Sequence, residues 1–161
     1  MNERSFPSEA LKAKGTLTAV RIHREPLRLF ARQGYAALSR REIAQGVGIR
    51  PDGLYNHFAT KQDILLALMR EHMEELLESW SGADPACNDH ADRPTAFARH
   101  HIRFHFRKPD AVFVAYMELR NLEPENFRAV EALRGRYEGQ LRAIVRRAAS
   151  RWWTRRSRRV P

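Results

Sequence analysis

Residues 46–61, GVGIRPDGLYNHFATK, combine side-chain types whose spacing suits chemistry with a polyanion. Three glycines and one proline are interleaved with a Tyr-Asn-His block at positions 55–57, which carries hydrogen-bond donors and acceptors. Residues 21–61 contain eight basic and three acidic side chains, a net charge of +5, whereas residues 62–80 contain one basic and five acidic side chains, a net charge of −4. A local basic patch of this kind favours a polyanion such as DNA.

Histidines in the second half of the chain suggest a different chemistry. His101 and His105 lie four residues apart on a predicted helix, a spacing at which two histidines can bind one metal ion. Other metal-binding residue types lie nearby without a fixed spacing: His100, Cys87, His90 and Asp92. We favour the alternative of a basic, partly exposed helix, and we predict no metal and no other cofactor. No Gly-x-Ser-x-Gly, Walker or His-Glu-x-x-His motif occurs, so we also predict no catalytic residues and no enzyme activity.

Length and composition fit one large or two small globular domains. The chain has 161 residues, of which 43% are apolar. Its longest apolar runs, residues 64–69 and 111–117, are shorter than the roughly 20 residues of a membrane span. The N-terminus has no apolar region of the kind found in signal peptides, and the single cysteine cannot form an internal disulfide. We therefore expect a cytoplasmic protein with no membrane partner.

The fold class is predicted to be all-α, because apolar residues recur at helical spacing and no stretch alternates as a strand would. A first helix covers about residues 16–33. Pro26 either kinks this helix or lies in the first turn of a helix that begins near residue 25. A longer helix begins after Thr60 and continues to about residue 80, a length of roughly 30 Å at 1.5 Å per residue.

Two short helices are predicted between these long ones. Ser39 and Glu42 have the spacing of a capping box at the start of the first, and Gly46 and Gly48 are predicted to end it. The second begins at Pro51, which is tolerated in the first turn of a helix. Two short helices joined by a tight turn form a helix-turn-helix, whose second helix enters the DNA major groove.

Several short motifs in this region occur at fixed spacing. They are Leu29-Phe30, Gly34-Tyr35, Ile43-Ala44, Gly48-Ile49, Leu54-Tyr55-Asn56-His57-Phe58 and Lys61. With them, residues 27–69 resemble the N-terminal domain of the TetR family of transcriptional regulators. Pro26 departs from the family pattern, in which a helix former usually stands. The resemblance implies a DNA-binding domain at 16–62, its helix-turn-helix at about 39–58, and a connecting helix at 63–80.

The resemblance also implies which residues contact DNA. They are Ser39, Arg40, Arg50, Asp52, Gly53, Tyr55, Asn56, His57 and Lys61. Ser39 and Arg40, at the start of the second helix, would contact the DNA backbone. Lys61, at the start of the fourth helix, would contact a phosphate.

The remaining residues of this set would face the groove or the phosphates from the third helix. Arg50 is suited to a guanine and Asn56 to an adenine by donor and acceptor geometry. Gly53 would allow close approach, while Tyr55 and His57 would touch phosphates or base edges. Taken alone, the motif Leu54-Tyr55-Asn56-His57-Phe58 is also compatible with a plain amphipathic core helix. The capping box, the basic bias and the downstream lysine favour DNA binding.

Residues 94–150 are predicted to form a helical ligand-binding and dimerisation domain. Its predicted helices cover about residues 95–107, 110–122 and 125–149. The segment FHFRKPDAVFVAYMELRNLEPENF loosely resembles TetR-type regulators of lipid and acyl-CoA catabolism, which implies a small apolar, acyl-CoA-like effector. Candidate pocket residues are Phe97, Phe104, Phe113, Tyr116, Met117 and Leu122. Aromatic residues at helical spacing are also typical of an ordinary core.

The C-terminal segment is strongly basic. Residues 139–161 contain eight arginines and no acid, and residues 151–161 lack a helical apolar stripe. Family members usually continue into further helices that form the dimer. We therefore hypothesise that the residues from about 149 onward are an out-of-frame read or a truncation, which translation of the neighbouring reading frames would test. The alternatives are a basic arm that binds DNA phosphates and a solvated terminus.

Together these features predict a ligand-released repressor of the TetR type that binds a palindromic operator as a homodimer. The partners would be double-stranded DNA and a small-molecule effector. The alternative is a truncated helical module that binds small molecules or proteins and has impaired DNA binding.

Overall fold

A computed structural model describes residues 8–83 and 93–157, and it contains only helices and turns in these ranges. The elements are α1 (Ser8–Gln33), α2 (Arg40–Val47), α3 (Pro51–Tyr55), α4 (Lys61–Ala83), α5 (Arg93–Phe106), α6 (Pro109–Met117), a 3-10 turn (Leu119–Asn121) and α7 (Pro124–Ser157). The predicted all-α fold is therefore confirmed. None of these helices is long and apolar enough to cross a membrane.

The chain divides into two compact units, Met1–Leu68 and Met69–Pro161. The division falls inside the continuous helix α4, whereas the sequence suggested a boundary in the polar segment at 81–93. Most of that segment lies outside the described residues.

Helix α1 begins earlier than the sequence predicted and continues through Pro26. Residues 8–15 carry no clear apolar stripe, but several are strong helix formers by intrinsic propensity. Pro26 is buried inside the helix, so the alternative in which the helix starts near it is wrong. Burial of the proline ring offsets part of the free energy lost with one backbone hydrogen bond.

The core of the first unit holds the short helices together. Helix α1 packs against α2, and α2 packs against α3. The buried side chains of this core include Ile22, Phe30, Leu38, Ile43, Val47, Leu54, Ile64 and Leu65. Because α3 has only five residues, its position depends on this packing and not on its own stability as a helix.

The start of α4 is capped as the sequence predicted. The Thr60 amide donates to the Asp63 carboxylate at 2.7 Å, and the Asp63 amide donates to the Thr60 hydroxyl at 3.0 Å. This reciprocal pair satisfies two backbone donors at the helix start and fixes where α4 begins.

The second unit contains α5, α6 and α7, with α5 packed against both other helices. Its central buried cluster is formed by Met73, Leu76, Leu77, Trp80, Phe97, Tyr137 and Ile144. Helix α6 ends at Met117, earlier than predicted. The buried Glu118 follows, where its carboxylate accepts a hydrogen bond from the Asn121 side chain and the backbone tightens into a 3-10 turn.

Helix α7 continues to Ser157, beyond residue 149 where the apolar pattern weakens. The side chains of residues 151–161 lie outside the described part of the chain. The hypothesis of an out-of-frame or truncated segment stays a prediction.

Candidate functional site

A capping box fixes the start of α2. The Ser39 hydroxyl accepts a hydrogen bond from the Glu42 amide at 3.2 Å, and the Glu42 carboxylate accepts one from the Ser39 amide at 2.7 Å. Hydrogen bonds to the carboxylate from the Ser39 hydroxyl, and to a smaller extent from the Ser39 amide, hold the pKa of Glu42 below its ordinary value. The cap therefore fixes Ser39 at the N-terminus of α2, the end of a helix that suits a phosphate oxygen.

Gly48 makes the turn between α2 and α3. Its φ of 77° lies in the left-handed region, and the Ile49 amide bonds to the Ala44 carbonyl at 3.0 Å, as in a Schellman motif. Gly46, which was predicted to end α2, lies inside it instead. A Cβ added at Gly46 would lie 2.7 Å from Leu29 Cδ1, so this glycine lets α2 pack closely against α1.

Helix α3 is shorter than the predicted recognition helix. It follows Arg50 as its N-cap and ends at Tyr55, whereas the sequence pattern suggested helix through Phe58. The amides of His57 and Phe58 both bond to the Leu54 carbonyl, at 3.0 and 2.9 Å, which closes the chain into a turn. Asn56 and His57 therefore lie on this turn.

One side of α3 is buried and the other faces solvent. Leu54 is 2% exposed and packs in the core, whereas Tyr55 is 44% exposed. The side chains of Arg50, Asp52, Asn56 and His57 are also exposed. We call these exposed residues, together with the half-buried Gly53, the α3 surface (Arg50, Asp52, Gly53, Tyr55, Asn56 and His57).

Gly53 is not required by the fold. Its φ is not positive, and a Cβ added there would lie 3.9 Å from the nearest atoms of Ile49, an ordinary contact distance. Alanine is a better helix former than glycine by about 1 kcal/mol. The glycine at this position therefore leaves space on the α3 surface without improving the stability of the helix.

Arg40 is paired with Tyr55. Its guanidinium carbon lies 4.2 Å from the centroid of the Tyr55 ring, and its Nη1 donates to the Ala59 carbonyl. The stacking joins the start of α2 to the end of α3 and holds the tyrosine ring in one orientation. The guanidinium has five N–H donors, so others remain for a phosphate.

Lys61 is engaged within the protein. Its Nζ donates to the Tyr35 carbonyl at 2.9 Å and to the Leu38 carbonyl at 2.8 Å, and it lies 4.1 Å from the centroid of the Tyr35 ring. These contacts tie the start of α4 to the segment between α1 and α2. One of the three ammonium protons remains available to a phosphate. Lys61 therefore has two roles: it holds the start of α4 in position, and it contributes positive charge.

Replacing Lys61 by methionine is expected to lower the free energy of unfolding by about 2 kcal/mol, because two charge-assisted hydrogen bonds to carbonyls are lost. Urea unfolding followed by circular dichroism without DNA measures this. The matched control is Lys108→Met, which removes an ion pair with Glu75 in which both side chains are more than a third exposed. Its expected effect is below about 1 kcal/mol, and equal effects for the two variants would contradict the structural role of Lys61.

The second unit contains a cavity of about 400 Å³. Its lining residues come from α4, α5, α6 and α7: Met73, Leu76, Phe97, Ala98, His101, Ile102, Ala115, Tyr116, Val130, Arg134, Tyr137, Glu138 and Leu141. The volume and the mostly apolar walls are those of a small-molecule site.

Two of the six predicted pocket residues, Phe97 and Tyr116, line this cavity. The other four do not. Phe104 packs against the central cluster, and Leu122 is buried beyond α6. Phe113 and Met117 are 42% and 53% exposed. Helical spacing alone does not show which face of α6 turns inward, so the sequence could not exclude these two residues from the pocket.

The cavity contains a polar pair that the sequence analysis did not assign to a pocket. His101 Nδ1 lies 3.2 Å from the Tyr137 hydroxyl, and both residues line the cavity. The pair brings together α5 and α7, and its residues are 36 positions apart in the chain. Helical spacing in the sequence places Tyr137 on the apolar face of the last helix. It could not show that His101 is the partner of Tyr137, because the two residues are far apart in the chain.

The histidines do not form a metal centre in the described part of the chain, where no group of three or more His, Cys, Asp or Glu is placed to hold an ion. Cys87, His90 and Asp92 lie outside the described residues. His105 Nδ1 donates to the His101 carbonyl at 2.8 Å, an ordinary bond within a helix.

The α3 surface and the cavity together define a class of protein: a helix-turn-helix DNA-binding regulator with a separate helical ligand-binding domain. Residues 26–68 match the family described as bacterial regulatory proteins, tetR family, and residues 87–152 match the tetracyclin repressor-like C-terminal domain. The chain belongs to the TetR family of transcriptional regulators.

Solved structures agree with this assignment. A TetR family regulator, PfmR from Thermus thermophilus, is 30% identical, with a TM-score of 0.75 over 81% of this chain and 71% of its own. A tetR family regulatory protein from Rhodococcus RHA1 is 28% identical, with a TM-score of 0.76 over 83% and 70%. AibR, solved in complex with isovaleryl coenzyme A and operator DNA, has the same fold, with 24% identity and a TM-score of 0.74 over 84% and 73%. The comparison with curated proteins gave no match.

Proposed function

We propose that the protein is a cytoplasmic, ligand-released repressor that binds a palindromic operator as a homodimer through the α3 surface. The observation that carries this proposal is Gly53, a glycine in a helix where the fold would accept alanine. Its neighbours on the same surface are exposed side chains able to donate and accept hydrogen bonds. A surface kept open in this way is suited to close approach of another backbone.

Within this proposal some residues contact the DNA bases directly, whereas others hold these residues in position and contact phosphates. Arg50 and Asn56 have the donor and acceptor geometry to read guanine and adenine in the major groove. Tyr55 and His57 contact phosphates or base edges. Arg40, which orients Tyr55, and Lys61 contribute phosphate contacts with the donors that their internal bonds leave over, while Ser39 lies at the N-terminus of α2, where a phosphate suits the helix dipole.

A homodimer is supported by exposed apolar side chains in the second unit. Among those outside the cavity lining, the most exposed are Phe106, Met117, Val145 and Phe113, at 87, 53, 49 and 42%. A contiguous apolar patch formed by such side chains would mark an interaction site. A dimer would bring two α3 surfaces to half-sites about 34–36 Å apart, one turn of DNA.

A small apolar effector is supported by the cavity. AibR was solved with isovaleryl coenzyme A, and an acyl-CoA-like effector for this chain agrees with the loose resemblance of its C-terminal sequence. Such a ligand would release DNA by favouring a dimer geometry whose spacing does not fit the operator.

In-vitro selection of bound DNA from a random pool tests the proposal, with an imperfect palindrome as the expected result. Fluorescence anisotropy with the selected DNA then compares variants. Arg50→Ala is expected to weaken binding by about 1–3 kcal/mol and to relax the preference at one base pair.

The matched control for this experiment is Arg142→Ala, which removes one exposed arginine of α7 and changes the net charge equally. It is expected to leave both affinity and base preference unchanged. Selection of no preferred sequence, or equal losses for the two variants, would refute DNA reading by the α3 surface.

A further inference from the structure

The walls of the cavity differ between its interior and its rim. Phe97, Val130 and Tyr137 are 3, 1 and 7% exposed, so they form the interior, whereas Tyr116 and Glu138 are exposed and form the rim. The interior is apolar apart from the hydroxyl of Tyr137 and the ring of His101. A ligand that enters therefore meets one polar position deep in the cavity.

Arg134, which also lines the cavity, lies near its rim. Its Nε lies 3.6 Å from a carboxylate oxygen of Glu131, and its guanidinium lies 5.0 Å from the centroid of the rim residue Tyr116. Its positive charge is therefore shared with a carboxylate beside the rim.

The polar pair is uncharged near neutral pH. Burial lowers the pKa of His101, and the neighbouring His105 and His100 lower it further. Burial raises the pKa of Tyr137 to about 12, with a smaller contribution from Tyr116. The imidazole is thus neutral and the phenol keeps its proton.

A neutral pair of this kind always offers one donor and one acceptor to a third group. If the Tyr137 hydroxyl donates to Nδ1 of His101, then Nε2 carries the other proton and can donate. If Nδ1 donates to the tyrosine oxygen, the hydroxyl proton is the free donor and Nε2 the acceptor. In both cases an uncharged oxygen can be satisfied, whereas a carboxylate would be buried without a counter-charge.

We propose that the part of the effector inside the cavity is apolar and carries an uncharged carbonyl or hydroxyl oxygen, which is bound at the His101–Tyr137 pair. This inference rests on the proposed role of the cavity as the effector site. It specifies the chemistry of that site: the apolar body fills the interior, and the pair selects the uncharged oxygen over both a hydrocarbon and an anion.

Three probes with similar skeletons test this selection by calorimetric titration of the full chain at pH 7.5. They are butyrophenone, butylbenzene, in which a methylene replaces the carbonyl, and the anion 4-phenylbutyrate. Butyrophenone is expected to bind about five- to tenfold more tightly than either of the others, as one buried hydrogen bond allows. The carbonyl stretching band of bound butyrophenone is expected to shift to lower wavenumber.

Tyr137→Phe keeps the ring and removes the hydroxyl. It is expected to reduce the preference for butyrophenone over butylbenzene by about fivefold and to change the carbonyl band, while butylbenzene affinity is unchanged. Tyr35→Phe, which removes a tyrosine hydroxyl outside the cavity, is the matched control and is expected to keep the wild-type preference. Unchanged butylbenzene binding also shows that the variant is folded.

The proposal is overturned if 4-phenylbutyrate binds most tightly, if none of the probes binds, or if the double variant Tyr137→Phe/His101→Phe, which removes both possible donors, keeps the full ketone preference and an unaltered band. These outcomes are independent of DNA. Selective ketone binding without any effect on operator affinity would support selection of an uncharged oxygen by the pair and refute the ligand-released part of the proposed function.

Discussion

Replacing Gly53 by alanine is expected to weaken operator binding about tenfold or more, as loss of one close approach to DNA would. The free energy of unfolding is expected to stay the same or to rise by about 0.5–1 kcal/mol, because alanine is the better helix former. The added methyl group meets only Ile49, at 3.9 Å, so the protein itself has room for it. A variant that is more stable yet binds less tightly would locate the loss at the interface with DNA.

Gly135→Ala is the matched control for this prediction. Gly135 lies in α7, and nothing lies within 4 Å of a Cβ added there. The substitution is expected to raise helix stability by a similar amount and to leave operator affinity unchanged. Anisotropy titrations and urea unfolding of both variants complete the comparison, and wild-type affinity in Gly53→Ala would mean that DNA does not approach α3 closely at this position.

A second large effect, on the pH dependence of folding stability, is expected at His72. This side chain is 2% exposed and has no hydrogen-bond partner at either ring nitrogen in the described part of the chain. Its pKa is lowered from the ordinary value of 6.5 to about 4, mainly by burial and to a smaller extent by His105, Lys108 and His101, while Glu75 opposes this shift. The ring is therefore neutral in the folded protein at pH 7.

The pH dependence follows from this lowered pKa. Below pH 6.5 the unfolded chain binds a proton at His72 that the folded protein does not bind until the pH approaches 4. The contribution of His72 to stability is thus unaffected above pH 6.5 and is lost as the pH falls from 6.5 to 4, by about 3 kcal/mol at 1.36 kcal/mol per pKa unit. Urea unfolding measured between pH 4 and pH 8 would show this slope.

Replacing His72 by leucine is expected to remove the contribution of His72 to that slope and to raise stability at pH 5 by about 2 kcal/mol or more, because two buried nitrogens without partners are also removed. The ring contacts Phe104, with 5.6 Å between centroids, so an apolar side chain has an apolar neighbour to pack against. The matched control is His57→Ala, which removes an exposed histidine. An unchanged pH slope in His72→Leu would show that another group controls the acid sensitivity.

The features that the sequence predicted correctly are local ones. The capping box of Ser39 and Glu42 and the left-handed turn at Gly48 depend on neighbours within a few residues. The cap between Thr60 and Asp63 is of the same kind. Because capping and turn chemistry act over one helical turn, the pattern of residue types was sufficient to place these helix ends.

The features that the sequence did not reveal depend on contacts between distant residues. Gly46 has its role because Leu29 packs over it, which no local pattern shows. Lys61 donates hydrogen bonds to carbonyls 23 and 26 residues away. Its charge suggested only a phosphate contact, so its internal role could not be predicted from the sequence. The His101–Tyr137 pair likewise exists only once α5 and α7 have packed.

In the proposed function, support and DNA reading fall to different side chains of the helix-turn-helix. Leu54, Arg40 and Lys61 hold α3 and its surroundings through internal contacts, whereas no internal hydrogen bond or ion pair from the side chains of Asn56 and His57 is found among the described residues. If the α3 surface reads DNA as proposed, a library randomised at Asn56 and His57 would sample new operator preferences with few misfolded members. The scaffold would then stay constant while its specificity changes, and the protein would be a starting point for selecting regulators of chosen DNA sequences.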